Sequence, residues 1–203
     1  MDVSAFALTA AYDAHLPLGA SSVTAIVRAM ASEIGEPGVE VSLRLWTPLG
    51  VMVSVLREIS PAAKDLRDGA VRFDDRTVEY PAGRWADGAR EYELALALPA
   101  RRAGDEMLAA RVGVAVAGEV VARAQIAVAW TDDERLLAGR DGFAAEPTIA
   151  AGELPTGLSP RPRQTFVGEP AGGEPCRGCG LSPADGDRFC EGCGQELVAD
   201  RSR

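Results

Sequence analysis

Val39-Glu40-Val41-Ser42-Leu43-Arg44-Leu45-Trp46 changes between apolar and polar at every step. Val39, Val41, Leu43 and Leu45 share one face and Glu40, Ser42 and Arg44 the other, the pattern of a strand with one buried and one solvated side. After Thr47-Pro48-Leu49-Gly50 the alternation resumes at Val51, Val53 and Val55, which reads as a tight hairpin. Tyr92, Leu94, Leu96 and Leu98 repeat the period. Val112, Val114 and Val116, a turn near Gly118-Glu119, then Ala124, Ile126, Val128 and Trp130 read as a second hairpin. Ser4 to Tyr12 is a further strand, with Phe6, Leu8 and Ala10 on one face. Short alternating strands separated by turns predict a mainly β domain over residues 1–137, built as an antiparallel β-sandwich.

Residues 22–34 have another rhythm. Val23, Ile26, Val27, Met30 and Ile34 recur at helical spacing, Ser21 or Ser22 can cap the start, and Gly35 with Pro37 closes the segment. The expectation is one amphipathic helix packed on the sheet. Beyond the sandwich, prolines 147, 155, 160, 162 and 170 interrupt any regular period, so residues 138–173 read as a flexible, partly extended linker. Ser159-Pro160-Arg161-Pro162-Arg163 is a short match to SH3-type ligands, and Thr165 follows basic residues as kinase substrates do. For both, a plain spacer is the simpler reading.

Composition sets outer bounds. Of 203 residues, 47% are hydrophobic and 25% charged, a globular balance. The longest apolar stretch, Val112 to Ala122, is broken by Glu119 and falls short of the roughly 18 residues a membrane helix needs. The start, Met-Asp-Val-Ser, has neither the basic nor the apolar part of a secretory signal, so a cytoplasmic location is expected. A net charge of -9 with no cluster of Lys or Arg disfavours nucleic acid, because phosphate binding needs grouped cations. Protein partners are expected instead.

Chemistry concentrates near the C-terminus. Cys176-Arg177-Gly178-Cys179-Gly180 and Cys190-Glu191-Gly192-Cys193-Gly194 are two C-x-x-C-G knuckles, ten residues apart, and they hold all four cysteines of the chain. A two-residue gap lets both thiolates of one knuckle face one ion, and two knuckles complete a tetrahedral four-sulfur shell. The following glycines suit a turn at positive φ. Leu181, Phe189 and Leu197 can cover one side of the metal. Residues 174–203 are too few to fold by apolar burial alone, so the metal would supply folding free energy. The expectation is one structural Zn²⁺ on Cys176, Cys179, Cys190 and Cys193; a redox dithiol lacks its thioredoxin-like setting, and a rubredoxin-type iron site is the other option.

Asp187-Arg188-Phe189-Cys190-Glu191-Gly192-Cys193-Gly194 resembles the zinc-ribbon class appended to many bacterial proteins. That resemblance implies zinc, and ribbons contact nucleic acid or protein; with six acidic and four basic residues over 174–203, protein is the better match. A second resemblance rests on five separated motifs. Val41-Ser42-Leu43-Arg44-Leu45-Trp46-Thr47-Pro48-Leu49-Gly50, Tyr80-Pro81-Ala82-Gly83-Arg84-Trp85, Arg90-Glu91-Tyr92, Met107-Leu108-Ala109-Ala110-Arg111-Val112 and Ala129-Trp130-Thr131-Asp132-Asp133 are similar, in that order, to the region following the von Willebrand factor A domain in actinobacterial proteins. It implies a β-sandwich-like region and an interaction role near serine/threonine kinase and FHA signalling. The A domain itself is not matched. Asp2-Val3-Ser4-Ala5-Phe6 places Phe where the family's cation loop ends in Ser, so no cation site carries over. By the same resemblance, residues 22–37 would be the A domain's last helix and residues 6–19 a strand preceding it.

Other candidates read blandly. His15, the lone histidine, has no nucleophile or acid at catalytic spacing and suits a turn. Asp74-Asp75 suits a turn, and Thr131-Asp132-Asp133-Glu134 the capped first turn of a short helix, in preference to calcium sites. Trp46, Trp85 and Trp130 suit the core before a ligand platform. The functional expectation is a non-enzymatic, zinc-binding adaptor for protein partners, of no assigned oligomeric state, with a nucleic-acid-binding regulator acting through the ribbon as the alternative.

Overall fold

The computed structural model describes residues 6–35, 37–138, 149–150, 175–183 and 187–197. Its strands are β1 (Phe6–Tyr12), β2 (His15–Pro17), β3 (Ser22–Ala31), β4 (Val39–Trp46), β5 (Met52–Ser60), β6 (Lys64–Asp65), β7 (Val71–Arg72), β8 (Thr77–Trp85), β9 (Gly88–Ala97), β10 (Glu106–Val116), β11 (Glu119–Thr131) and β12 (Ile149–Ala150). They form two sheets, one in the order β1-β3-β9-β5-β6 and the other β12-β11-β10-β4-β8-β7, with β2 parallel to β11. The mainly β, antiparallel architecture is the one the alternation of residues 39–46 predicts. The short helix α1 (Glu134–Ala138) follows β11. Its start is capped as expected: Thr131 Oγ1 accepts from the Asp133 N–H, and Asp133 Oδ1 from the Arg135 N–H.

The core lies where the two inner faces meet. Leu8, Val27, Leu43, Leu56, Tyr92, Leu94, Leu96, Val114, Ile126 and Trp130 are essentially sealed from solvent. Phe6, Trp85 and Tyr92 tie the sheets together at one end: the Phe6 and Trp85 rings are 6.0 Å apart, and Trp85 stacks on Tyr92 at 6.3 Å. Trp85 and Trp130 are core residues as expected, whereas Trp46 is only half-buried, with the Arg111 guanidinium 4.8 Å over its ring.

Two expectations are corrected here. Residues 22–34 are not a helix; Ser22–Ala31 is strand β3, paired with β1 on one side and β9 on the other. Its inner face is Val23, Ala25, Val27, Ala29 and Ala31, a strict period of two, whereas Ile26 and Met30 point outward. Three alanines on the buried face hid that period, and the β-branched Val23, Thr24, Ile26 and Val27 favour an extended chain over a helix. The inferred correspondence of residues 22–37 to an A-domain helix falls with it. The second correction concerns Thr47–Gly50. It is not a hairpin: β4 pairs with β8 and β10 in one sheet, β5 with β9 and β6 in the other, so the turn carries the chain across the sandwich. Two alternating strands flanking Pro and Gly look the same whether they pair or face each other.

The other hairpin holds. β10 and β11 pair through a turn in which Ala117 (φ 51°) and Gly118 (φ 85°) both take the left-handed conformation that two-residue hairpins require. In β5, register shifts between Val53 and Val55 and between Glu58 and Ser60 change the inward set to Leu56 and Glu58. The buried Glu58 carboxylate meets Arg90 at 3.7 Å, and Arg90 also donates to the Ala82 and Arg84 carbonyls and lies 4.9 Å over Trp85. Asp74 makes the expected turn, its Oδ1 accepting from the Arg76 and Thr77 N–H groups at 2.8 Å each. Most of the expected linker, including Ser159–Arg163 and Thr165, lies outside the described residues, as do residues 1–5; within the linker, Ile149 and Ala150 pair with Arg123 and Ala122.

Candidate metal centre

Each knuckle is built by the same three backbone devices. The Gly180 N–H donates to the Cys176 carbonyl at 2.7 Å, and the Gly194 N–H to the Cys190 carbonyl at 2.8 Å. Both glycines sit at positive φ, 73° and 71°, so the turn closes without a Cβ penalty. The Cys176 N–H bonds the Leu181 carbonyl at 2.9 Å, and the Cys190 N–H the Gln195 carbonyl at 2.8 Å. Finally, the Gly178 N–H points at Cys176 Sγ (3.4 Å) and the Gly192 N–H at Cys190 Sγ (3.3 Å). Such donors stabilise a thiolate, as metal ligands require.

Face to face, the knuckles bring the sulfurs of Cys176, Cys179, Cys190 and Cys193 within 4.8 Å of one another. The Cys176–Cys193 and Cys179–Cys190 pairs are 3.6 Å apart, too long for covalent S–S bonds, and all four thiols are free. Metal–sulfur bonds of about 2.3 Å in a tetrahedron place sulfurs about 3.8 Å apart, so the four residues fit one tetrahedral ion. Cys176, Cys190 and Cys193 are buried and Cys179 is exposed. Leu197 packs on the sulfur cluster and Phe189 is buried, as expected, but Leu181 stays largely exposed.

The electrostatics call for a cation. Burial raises the Cys176 thiol, but the N–H groups of Gly178 and Cys179 and the thiols of Cys190 and Cys193 outweigh it and bring it down to about 7. Burial pushes Cys193 up to about 12 against the Gln195 N–H, and the neighbouring Cys176, Cys179 and Cys190 add to that rise. Cys190 is likewise raised, first by burial. Cys176 is thus the readiest to ionise near neutral pH, and Cys190 and Cys193 hold their protons until a positive ion shares their charge.

The middle glycines carry a constraint that the spacing rule does not reveal. A Cβ on Gly192 would come within 2.7 Å of Cys179 Sγ, and one on Gly178 would overlap the Gln195 side chain and reach 3.1 Å from Cys193 Sγ. The second knuckle thus needs glycine where Cys179 Sγ approaches, and the first is less constrained, because the Gln195 amide can swing aside and Cys193 Sγ need give only a few tenths of an ångström. The repeated C-x-G-C-G wording was the available signal for it.

The second knuckle is also stitched to the sandwich. Leu49 N–H donates to the Gly192 carbonyl (3.1 Å), Leu108 N–H to Gly194 (2.9 Å), and Glu196 N–H to Glu106 (3.4 Å), with an antiparallel bridge between Met107 and Gln195. The Arg76 guanidinium donates to the Glu191 carbonyl; Arg111 pairs with the Glu191 carboxylate at 3.3 Å and Arg188 with Glu106 at 2.7 Å. Outside this region the described acidic pairs and His15 form no further ligand cluster.

No family model matches the chain, and no curated protein matches it. Among solved structures, a von Willebrand factor type A protein from Catenulispora acidiphila is 32% identical over 49% of this chain and 24% of its own, with a TM-score of 0.46. The chain thus spans about a quarter of that protein's length. A cohesin module from a Clostridium perfringens family 33 glycoside hydrolase is 10% identical over 63% of this chain and 97% of its own, at a TM-score of 0.41. BcpA, the major pilin subunit of Bacillus cereus, is 8% identical over 62% and 39%, also at 0.41. The fold described above rests on strand register, not on these superpositions. Among the described residues, no helix is long and apolar enough to cross a membrane.

Proposed function

We propose that this chain is a non-enzymatic interaction module of the reducing cytoplasm, in which a β-sandwich carries one structural zinc ion on Cys176, Cys179, Cys190 and Cys193 and binds protein partners. The observation that carries the reading is the closed sulfur set: four thiols fill a tetrahedron and leave no position for a substrate or a reactive water. An all-sulfur tetrahedral site suits zinc or iron, and the resemblance of residues 187–194 to zinc ribbons favours zinc.

A protein partner is favoured over nucleic acid because the ribbon's cations are few and in part spent. Arg188 is shared between Glu106 (2.7 Å) and Glu196 (3.3 Å), which leaves Arg177 as the other described arginine of the two knuckles. The sandwich offers a better recognition surface. A cleft of about 240 Å³ on the β4, β8, β10 and β11 sheet is lined by Arg44, Arg111, Arg123, Trp46 and Phe73. Arg44 lies 4.1 Å over the Phe73 ring and pairs with Glu79 at 2.7 Å, and Arg111 lies over Trp46 and pairs with Glu191 at 3.3 Å, so both are ordered before any partner arrives, and Arg123 is the lining arginine with no ion pair among the described residues. Arg123 beside the Trp46 and Phe73 rings suits a protein segment that offers a carboxylate next to apolar side chains.

Elemental analysis of the purified chain should give about one zinc per molecule, and affinity capture should return protein partners whose binding weakens on Arg44→Ala or Arg123→Ala. Salt-sensitive retention on DNA or RNA at low salt, with no protein captured through the cleft, would support the regulator instead.

A further inference from the structure

β10 (11 residues) is longer than β4 (8 residues), its partner on one side. Its pairing with β4 ends at Arg111 opposite Trp46, so Glu106–Ala110 have β11 on one side and no sandwich strand on the other. An open edge of this kind presents unpaired N–H and C=O groups and invites another chain. Here the edge is filled by the metal-binding segment itself. Gly194 C=O takes the Leu108 N–H, Glu106 C=O takes the Glu196 N–H, and Met107 faces Gln195 between them, which is one short antiparallel strand addition. Gly192 C=O takes the Leu49 N–H from the β4–β5 crossing at the same end. Met107 and Leu108 are sealed from solvent.

The docking residues are the knuckle residues. Gly192 and Gly194 lie on either side of Cys193, and the Gly194 turn is set by its bond to the Cys190 carbonyl. Gly194 also fits without a side chain: a Cβ there would overlap the Leu108 carbonyl oxygen and press on the Pro48 ring. The geometry that lets Cys190 and Cys193 share an ion is therefore the geometry that presents the Gly192 and Gly194 carbonyls to the sandwich.

We propose that the metal centre is a latch on the β10 edge: with the ion bound, Gly192–Glu196 closes Glu106–Leu108, and when the ion leaves, that edge and the Leu49 amide open to solvent. This rests on the four-thiol reading above. Coupling runs through residues that touch both the sulfurs and the edge, so it needs no distant pathway. It makes the exposure of a strand edge answer to metal supply.

The test is amide hydrogen exchange on the full chain, with elemental analysis in parallel, before and after removal of zinc by a chelator. The latch predicts that the Leu49, Leu108 and Glu196 amides are protected in the zinc form and exchange at least about tenfold faster after chelation, whereas Leu94 and Val114 in the core do not change. Equal exchange at Leu49 and Leu108 with and without zinc overturns it. Gly194→Ala, which keeps all four sulfurs, should retain zinc and lose Leu108 protection; zinc retained with full protection also overturns it. The chelation comparison stands on the unaltered chain, whatever this variant does to folding. A chain that takes up no zinc overturns the underlying metal reading, which the elemental analysis shows separately, and the latch falls with it.

Discussion

The two knuckles have the same internal wiring and opposite surroundings. Both close an N–H to C=O bond from the glycine after the second cysteine and set that glycine at φ near 70°, and both point a middle-glycine N–H at the first sulfur. Yet Cys190 is fully buried and its knuckle accepts bonds from Leu49, Arg76 and Leu108, whereas Cys179 of the first knuckle is exposed and Leu181 beyond it is largely so. The shared features are those that chelation demands. The differences come from docking, so paired substitutions in the two knuckles separate the two.

The largest effects follow from removing a sulfur. Cys190→Ser and Cys179→Ser should each cost the tightly held ion, since structural zinc contributes on the order of 10 kcal/mol to folding of the residues that bind it. They should differ in size. Loss of the ion should release the β10 edge in both, and Cys190→Ser should cost more because it also removes the sulfur that holds the Gly192 N–H beside the docked carbonyl. Elemental analysis with thermal melts checks both, and two identical melts would show that docking does not discriminate between the knuckles.

Next in size is a glycine pair. Gly180→Ala and Gly194→Ala both force a Cβ into the left-handed region, at about 1 kcal/mol or somewhat more. Only Gly194 also meets another element: nothing lies within 4 Å of a Cβ at Gly180, but at Gly194 the Leu108 carbonyl and Pro48 stand in the way. Chemical unfolding should therefore show Gly194→Ala as the more damaging by at least about 1 kcal/mol, in the range of overpacking. Equal losses would mean that the contact with β10 relaxes freely.

How far these distinctions could be read beforehand depends on what kind of force writes them into the sequence. The ligands were legible because a two-residue gap is imposed by the bite of one ion, and the β character was legible because Val39–Trp46 has one wet and one dry face. β3 was not, since Ala25, Ala29 and Ala31 are small enough to line a buried face without standing out as apolar. The 47–50 crossing and the inward Glu58 were hidden for another reason. Pairing partner and bulge position are set by the opposite sheet, which a local pattern does not contain. Docking of the second knuckle rests on backbone groups of Gly192, Gly194 and Leu108, and backbone bonds carry no residue signature.

Acid sharpens the comparison further. Metal binding requires four thiolates, so protons compete for the site and affinity should fall steeply as pH drops below neutral. Without the ion, Cys193 rises to about 12 and Cys190 is also raised, while Cys176 falls to about 7, so Cys190 and Cys193 must release protons when metal binds near pH 7. Zinc binding measured in buffers of different ionisation enthalpy should report that release, and a count of zero would exclude the four-thiolate site.

The smallest effect tests the polar support of the docked knuckle. Asp74 is raised by burial, but the N–H groups of Arg76 and Thr77, the Thr77 side chain and the nearby Arg76 charge together hold its carboxyl below the usual carboxylate range. A depressed carboxylate stabilises the fold above the unfolded value of about 3.9, and that contribution is lost as pH falls through the lower folded value. The same turn sets Arg76, whose guanidinium reaches the Glu191 carbonyl. Asp74→Asn should thus flatten the stability curve below about pH 4 and weaken the hold on the second knuckle at neutral pH. Because Asp74 is solvent-exposed, screening limits the change to under about 1 kcal/mol. Denaturant midpoints of the zinc form at pH 7, and of the zinc-free chain at pH 3.5 and pH 7, would separate the two effects, and parallel curves for the two proteins would remove Asp74 from the account of docking.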